Sequence, residues 1–246
     1  MKLIVLAVAL IALFVSCLYL IRDRYPEPDP TQLRYYPEGK VEFYKFDSTT
    51  ILPSLDQGKA DVFLPLDANA VDANAEYPAI EWSQAQFLKV ANALSQRVWN
   101  EPLELDQWDI LRVRFGGGSC RENVDGFFSF EIVYYKTVKT GWEMVYTARR
   151  IDLLSGGSTA TWAGDGDFSA NFFQRWQNIE LTKFQITADQ AYRIAEENGG
   201  RAARRNSDNK YCQIFVSAEN GEDSWLVDYT ANVFSASINP FTGSVH

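Results

Sequence analysis

The single histidine limits the catalytic chemistry that this sequence can support. His246 is the last residue of the printed sequence. We expect a terminal residue to fray, and a frayed side chain cannot hold a general base in place. This argues against Ser-His-Asp and Cys-His catalysis. One histidine and no Cys-x-x-Cys pair also argue against a zinc site.

Carboxylates are the other candidates for chemistry. Asp165 and Asp167, in "AGDGDF", could contribute to a calcium site, but Asp-Gly repeats more commonly form turns. Residues 115–120, "FGGGSC", lack the Lys-Ser/Thr ending of a phosphate-binding loop, and we expect them to turn the chain between two strands. The sequence therefore predicts no catalytic residue, no metal and no cofactor. A hydrolase that uses paired carboxylates or calcium stays an alternative.

The N-terminal segment is predicted to anchor the chain in a membrane. Residues 3–21 contain no charged residue, and a helix of that length spans about 28 Å, the thickness of one bilayer core. We interpret it as an uncleaved signal anchor with the body extracytoplasmic, in a periplasmic or extracellular space. A cleaved signal peptide is one alternative. A lipoprotein is another, because residues 14–17 resemble a lipobox and would make Cys17 the lipid-bearing residue.

Two cysteines remain in the body, Cys120 and Cys212. An even number of cysteines in an oxidising compartment is compatible with a disulfide. A bridge between them would tie the two halves of the body together. The alternative is two unpaired thiols.

The charge balance restricts the classes of partner. The net charge of −9 and the pI near 4.7 argue against a nucleic-acid or anionic-lipid partner, because phosphate binding needs a basic surface. One local basic patch interrupts this acidic chain and could receive an acidic partner segment: Arg201, Arg204, Arg205 and Lys210. The alternative is a solvent-exposed segment whose positive charges compensate the negative charges of nearby glutamates.

The N-termini of two predicted helices share one sequence pattern. Ser83 and Gln86 form a capping box in "WSQAQF", and Thr187 and Gln190 repeat it in "ITADQA". The two caps are 104 residues apart, and a hydrophobic staple accompanies each. Asn198-Gly199-Gly200 ends the second helix, since glycine can take the left-handed conformation there. The match predicts an internal repeat.

Alternating apolar and polar residues predict antiparallel strands after each helix. The predicted strands are residues 40–46, 108–115, 127–136, 142–153, 211–218, 224–230 and 233–238, with a hairpin turn at Asn220-Gly221. Each unit is then one helix that covers an antiparallel meander, which is an α+β fold.

The domain organisation follows from these elements. Residues 1–21 are the transmembrane anchor, and residues 22–39 are a proline-rich stalk. Residues 40–165 form the first α+β unit. Residues 166–183 connect it to the second, with Ser169 as the cap of a joining helix, and residues 184–246 form the second unit.

The second unit resembles a PepSY domain. Its helix "ITADQAYRIAEENGG", its middle strand "WLV" and its closing segment "INPFTGSV" follow the pattern of that family. Asn239 and Pro240 stand where the family often has Asp and Ala, and the first unit fits by architecture alone. The resemblance implies a PepSY or cystatin-like fold, a binding or regulatory role for a protein or peptide, and no catalytic residue. We therefore expect a regulator of an envelope protease or peptide. An accessory, non-catalytic subunit of a bacterial membrane complex is the alternative.

Overall fold

The computed structural model describes residues 40–59, 61–66, 80–100, 108–120, 125–139, 143–156, 158–171, 177–219 and 224–246. The predicted anchor, Cys17 and the proline-rich stalk lie outside these residues, as does the predicted turn at Asn220-Gly221. Within the described ranges, no helix is both long and apolar enough to cross a membrane.

The fold is α+β, as predicted, and its strands form one antiparallel sheet. In the described part of the chain the sheet has nine strands: β1 (Lys40–Lys45), β2 (Leu64–Leu66), β3 (Asp109–Ser119), β4 (Ser129–Lys139), β5 (Glu143–Leu154), β6 (Ser158–Asn171), β7 (Gln213–Glu219), β8 (Trp225–Tyr229) and β9 (Phe234–Ile238). Their order across the sheet is β2-β1-β6-β5-β4-β3-β7-β8-β9.

This order places two meanders side by side. Strands β3 to β6 form one meander and β7 to β9 form the other. The first strands of the two meanders pair with each other, with Phe115 of β3 opposite Val216 of β7. A single sheet therefore runs through both halves of the body.

The α-helices of the described residues are α1 (Ile51–Asp56), α2 (Gln84–Trp99), α3 (Ala188–Ala195) and α4 (Arg201–Asn206). Both predicted capping boxes are present, with Ser83 and Thr187 as the N-caps. A capping box satisfies orphan amides of the first turn, so it marks where each helix begins. Helices α2 and α3 precede β3 and β7, the first strands of the two meanders, which pair with each other.

The core lies between these helices and one face of the sheet. Phe115, fully buried on β3, contacts Phe87 of α2, Phe130 of β4 and Trp225 of β8 through its ring, at centroid distances of 6.2, 4.9 and 6.2 Å. Burial of such side chains stabilises each by about 1.5–3 kcal/mol. Because one ring touches elements of both meanders, the two halves share a continuous core.

Three sequence predictions need correction. Residues 116–119 continue β3 instead of turning, and a register shift between Gly116 and Ser119 absorbs the irregularity. The Asp-Gly repeat at Asp165 and Asp167, expected to form turns, lies instead within strand β6. Ser169 lies in that strand and does not cap a joining helix, while residues 172–176 lie outside the described residues.

Candidate interaction surface

A kink after α3 builds the candidate surface. The five residues Glu196–Gly200 form one wide turn, in which Gly199 has a φ of 118°. This backbone conformation is accessible to glycine and strained for other residues. The chain does not end its helix here as predicted. It changes direction and continues as α4, which carries Arg201, Arg204 and Arg205.

Glu196 and Arg204 form a buried ion pair beneath this kink. Arg204 donates from Nε and Nη2 to the Glu196 carboxylate at 2.8–3.0 Å, and the hydroxyl of Tyr229 donates to the same carboxylate. The two charged residues are 6% and 7% exposed. Arg204 is therefore held inside the protein, and it must be removed from the predicted basic patch.

The electrostatics of this cluster follow from burial and pairing. Burial favours the neutral form of Glu196, but the hydrogen bonds from Arg204 and Tyr229 and the nearby positive charges outweigh it and lower the pKa of the carboxyl. Burial and the charge of Glu196 raise the pKa of Tyr229. They also raise the pKa of Tyr192 to about 12. The ionised glutamate is thus stabilised as a structural charge.

The other three predicted basic residues are exposed. Arg201 lies 3.6 Å from Glu196 with its side chain 55% exposed. Within the described ranges, Arg205 and Lys210 have no carboxylate partner in an ion pair. Lys210 instead places its ammonium group 5.0 Å from the ring centroid of Tyr211. Tyr211 is 75% exposed. We call Arg201, Arg205, Lys210 and Tyr211 the basic–aromatic surface.

Local hydrogen bonds fix the backbone of this surface. Asn209 Oδ1 accepts from the Tyr211 amide at 2.9 Å, and the Tyr211 carbonyl accepts from the Thr230 hydroxyl at 3.4 Å. The next residue is Cys212, which is buried and bonded to Cys120, with the two Cα atoms 5.4 Å apart. The exposed tyrosine is thereby presented from a restrained segment. Sequence reasoning missed Tyr211, because an exposed aromatic residue is not distinguishable from a core one in the sequence.

A disulfide and two hydrogen bonds between the helix N-termini connect the two halves of the body. Cys120 follows β3 and Cys212 precedes β7, and the amide of Cys120 donates to the carbonyl of Cys212. At the helix starts, the Gln84 amide donates to Asp189 Oδ2 at 3.0 Å, and the Ala188 amide donates to Gln84 Oε1 at 2.7 Å. Each helix supplies an acceptor for a first-turn amide of the other.

The segments that carry the PepSY resemblance meet beside α3. The amide of Ile186 donates to the carbonyl of Pro240, and the Trp225 indole donates to the carbonyl of Ile186, both at 2.8 Å. The rings of Phe184 and Phe241 contact each other at 5.9 Å. The motif residues thus join helix, middle strand and closing turn, which is a structural role.

The sheet face opposite the helices carries an ion-pair network that sequence reasoning missed. Arg150 contacts Glu131 at 2.6 Å and Asp152 at 2.7 Å. Arg112 Nε lies 3.1 Å from carboxylate oxygens of both Glu131 and Glu219, although its proton is not directed well enough for a hydrogen bond. Each arginine lies between two carboxylates, with Glu131 shared, so the positive charges of both arginines are compensated. The alternation of charged residues along β3 to β5 is the sequence signal for this face.

A stack of cations and tryptophans lies at the end of α2. The guanidinium of Arg149 lies 4.8 Å from the Trp99 ring centroid and 4.4 Å from that of Trp108, and Lys136 also contacts Trp108. Trp108 lines a cavity of about 170 Å³ with residues 178–182. Small-molecule pockets usually have volumes of about 300–1,000 Å³, so this cavity is small for such a ligand.

The predicted calcium candidates are not assembled into a described site. Asp165 and Asp167 both lie in β6, and their side chains are not among those described. Among the described residues, no group of three or more His, Cys, Asp or Glu side chains has a geometry that could hold a metal ion.

The terminal histidine is held more firmly than predicted. The amide of His246 donates to the carbonyl of Ser237 at 2.9 Å, so the backbone of this residue pairs with β9. Its Nε2 lies 3.3 Å from the Ser244 hydroxyl, which in turn contacts the Thr242 hydroxyl at 3.0 Å. All three side chains are exposed. In a Ser-His-Asp triad a buried carboxylate binds and orients the histidine, whereas here the third group, the Thr242 hydroxyl, contacts the serine.

Comparisons with protein-family models, curated proteins and solved structures found no match for this chain. The PepSY resemblance therefore stays a prediction from the sequence.

Proposed function

We propose that this chain is a membrane-anchored, extracytoplasmic protein-binding module of the bacterial envelope that regulates an envelope protease or peptide. Residues 3–21 would be the anchor and residues 40–246 the binding body. In this proposal the body consists of two tandem helix-plus-meander units, the second of them PepSY-like, and its function is binding without catalysis.

The reciprocal contacts between the helix starts support the two-unit interpretation. Gln84 and Ala188 are the first residues of α2 and α3, and they are 104 residues apart, as are the two N-caps. Each helix is followed by an antiparallel meander, and the leading strands β3 and β7 pair. If one unit had been duplicated and the two copies packed against each other, the N-termini of their helices would face each other. The N-termini of α2 and α3 have this arrangement.

The disulfide supports an extracytoplasmic location for the body. Cys120 and Cys212 are bonded across the seam between β3 and β7. Structural disulfides form and persist in oxidising compartments and are rare in the cytosol.

The observation that carries the binding proposal is the basic–aromatic surface. Tyr211 is more exposed than any other large hydrophobic residue in the described part of the chain. Exposed tyrosine and arginine are typical of the centres of protein–protein interfaces. A side chain presented from a restrained backbone loses little entropy on binding. The surface therefore combines the residue types and the rigidity that a protein-binding site needs.

Purification of the full chain in mild detergent, followed by chemical crosslinking and mass spectrometry, tests the proposal. A regulator predicts a crosslinked protease or peptide whose cleavage rate changes when the chain is added. Stoichiometric recovery in a larger assembly, without an effect on any protease, would favour the accessory-subunit alternative. Recovery as a lone monomer without crosslinked partners would contradict both forms of protein binding.

A further inference from the structure

We infer that the basic–aromatic surface binds an acidic segment of the partner protein. This inference rests on the proposed function and adds the chemistry of the partner. The ligand is a short peptide with several carboxylates, which pair with Arg201, Arg205 and Lys210 while an apolar or aromatic residue packs on Tyr211.

The basic residues divide into two groups by their partners. Arg204 donates three contacts to Glu196 and is buried, so its charge is neutralised inside the protein. Arg205 and Lys210 are exposed and lack a carboxylate partner among the described residues, and Arg201 has one longer contact, to the same Glu196. Elsewhere on the described surface, Lys89 pairs with Asp56 and Lys183 with Glu180. The cations of the basic–aromatic surface therefore retain the capacity to bind added carboxylates.

Guanidinium groups suit this ligand. An arginine can donate two parallel hydrogen bonds to one carboxylate, which gives direction as well as energy. Arg201 and Arg205 are four residues apart on α4, and residues at this spacing lie on one face of a helix. Two carboxylates of one peptide can reach them together. The Lys210 ammonium, already placed beside the Tyr211 ring, extends the positive surface onto the aromatic residue.

The net charge of the chain distinguishes a peptide from a membrane. A bilayer rich in anionic lipid is wide and would approach much of a chain whose net charge is −9, so repulsion would oppose the local attraction. A peptide segment contacts only the patch, and the exposed acids next to it in the sequence are Glu197 and Asp208. Screening limits the reach of the other charges to about 8–10 Å at moderate salt. These charge effects favour binding of a narrow acidic peptide over binding of an anionic bilayer.

The test measures fluorescence anisotropy of a labelled peptide added to the full chain in detergent. The peptide carries about six glutamates around two aromatic residues, in keeping with acidic-motif recognition by arginine clusters. The surface variant is Arg201→Glu, Arg205→Glu and Lys210→Glu. The matched control is Lys45→Glu, Lys59→Glu and Arg97→Glu, which makes the same charge change at exposed residues elsewhere.

The surface variant should weaken peptide binding at least about tenfold, and the control less than about twofold, since only contacting charges act at short range. Binding to the unmodified chain should also weaken as salt is raised. Tyr211→Ala and the milder pair Arg205→Gln and Lys210→Gln should each weaken binding with an unchanged circular dichroism spectrum. Equal weakening by the surface variant and the control would overturn the inference.

Phosphatidylglycerol in mixed micelles provides the competing ligand. If the full chain in detergent bound this lipid through these residues and did not bind the peptide, the inferred partner would be wrong. The proposed function is tested separately from this inference, because it predicts that partners crosslink to the chain at any site where they bind. Partners that still crosslink to the surface variant would refute this inference and leave the proposed function standing.

Discussion

Replacing Glu196 by glutamine should destabilise the folded chain by about 3 kcal/mol. Breaking a buried ion pair costs about 3–5 kcal/mol, because it leaves the other charge buried without compensation. Arg204 makes three contacts to the carboxylate, and Tyr229 donates a fourth hydrogen bond. Glutamine keeps one acceptor oxygen but removes the negative charge, so we expect the lower end of that range.

Urea unfolding followed by tryptophan fluorescence measures this change, since Trp225 is fully buried in the same half of the body. With a slope of about 3 kcal/mol per molar urea, the midpoint should fall by about 1 M. Glu197→Gln is the matched control. Glu197 is the next residue and is exposed, so its substitution should change the stability by no more than about 0.5 kcal/mol. If both variants unfolded at the same urea concentration, the structural role given to Glu196 would be refuted.

The pH dependence of the same pair provides a second test. The pKa of Glu196 is lowered from its usual value of 4.5 in the folded chain. Its ionised form therefore stabilises the fold above the unfolded-state pKa, and this contribution disappears as the pH falls through the folded-state pKa. The difference in stability between the unmodified chain and Glu196→Gln should be complete near neutral pH and shrink below about pH 4.5. A difference that stayed constant into acid would contradict the ion-pair explanation.

Three further predictions concern the whole body. Gln84→Ala should cost about 1–3 kcal/mol in urea unfolding, because it leaves the buried Ala188 amide without its acceptor. Replacing Cys120 and Cys212 by alanine should cost about 4–5 kcal/mol, since their sequence separation of 92 residues closes a long loop in the unfolded chain. Stability should also fall above about pH 10, because the raised pKa of Tyr229 favours the folded state only while the unfolded-state tyrosine stays protonated. Denaturation followed at increasing pH measures this loss.

Each of these predictions has a matched comparison. Gln96→Ala removes an exposed glutamine of the same helix and should change the stability by no more than about 0.5 kcal/mol. The cysteine variants should have the same stability as the reduced, unmodified chain. A difference in stability would show that the substitutions removed more than the disulfide. Tyr229→Phe should reduce the loss of stability at alkaline pH. An unchanged loss would show that other titrating groups cause it.

The helix starts and most strands could be predicted from local sequence. The capping boxes at Ser83 and Thr187 depend on residues three positions apart, and strand alternation depends on neighbours. Strand β6 could not be recognised, because "STATWAGDGDFSAN" contains glycines and aspartates that usually mark turns. Its place in the sheet comes from pairing with β5 and β1, and long-range pairing overrides weak local preference.

The candidate surface was predictable only in part. The basic segment is visible in the sequence, but nothing local indicates that Arg204 turns inward while Arg201 and Arg205 stay exposed. That difference arises from the kink at Glu196–Gly200, after which α4 directs Arg204 back to Glu196. The contact between Gln84 and Ala188 likewise depends on how two distant helices pack. Such tertiary contacts have no short-range sequence signal.

Site-specific photocrosslinking in native membranes tests the central claim most directly. A photoreactive amino acid would replace Tyr211 on the basic–aromatic surface or, in the comparison, Leu64 of the edge strand β2, which is 54% exposed. Protein binding through this surface predicts a defined crosslinked partner from position 211 that disappears in the charge-reversed surface variant, with none from position 64. Crosslinks of equal yield at both positions, or none from position 211, would contradict it.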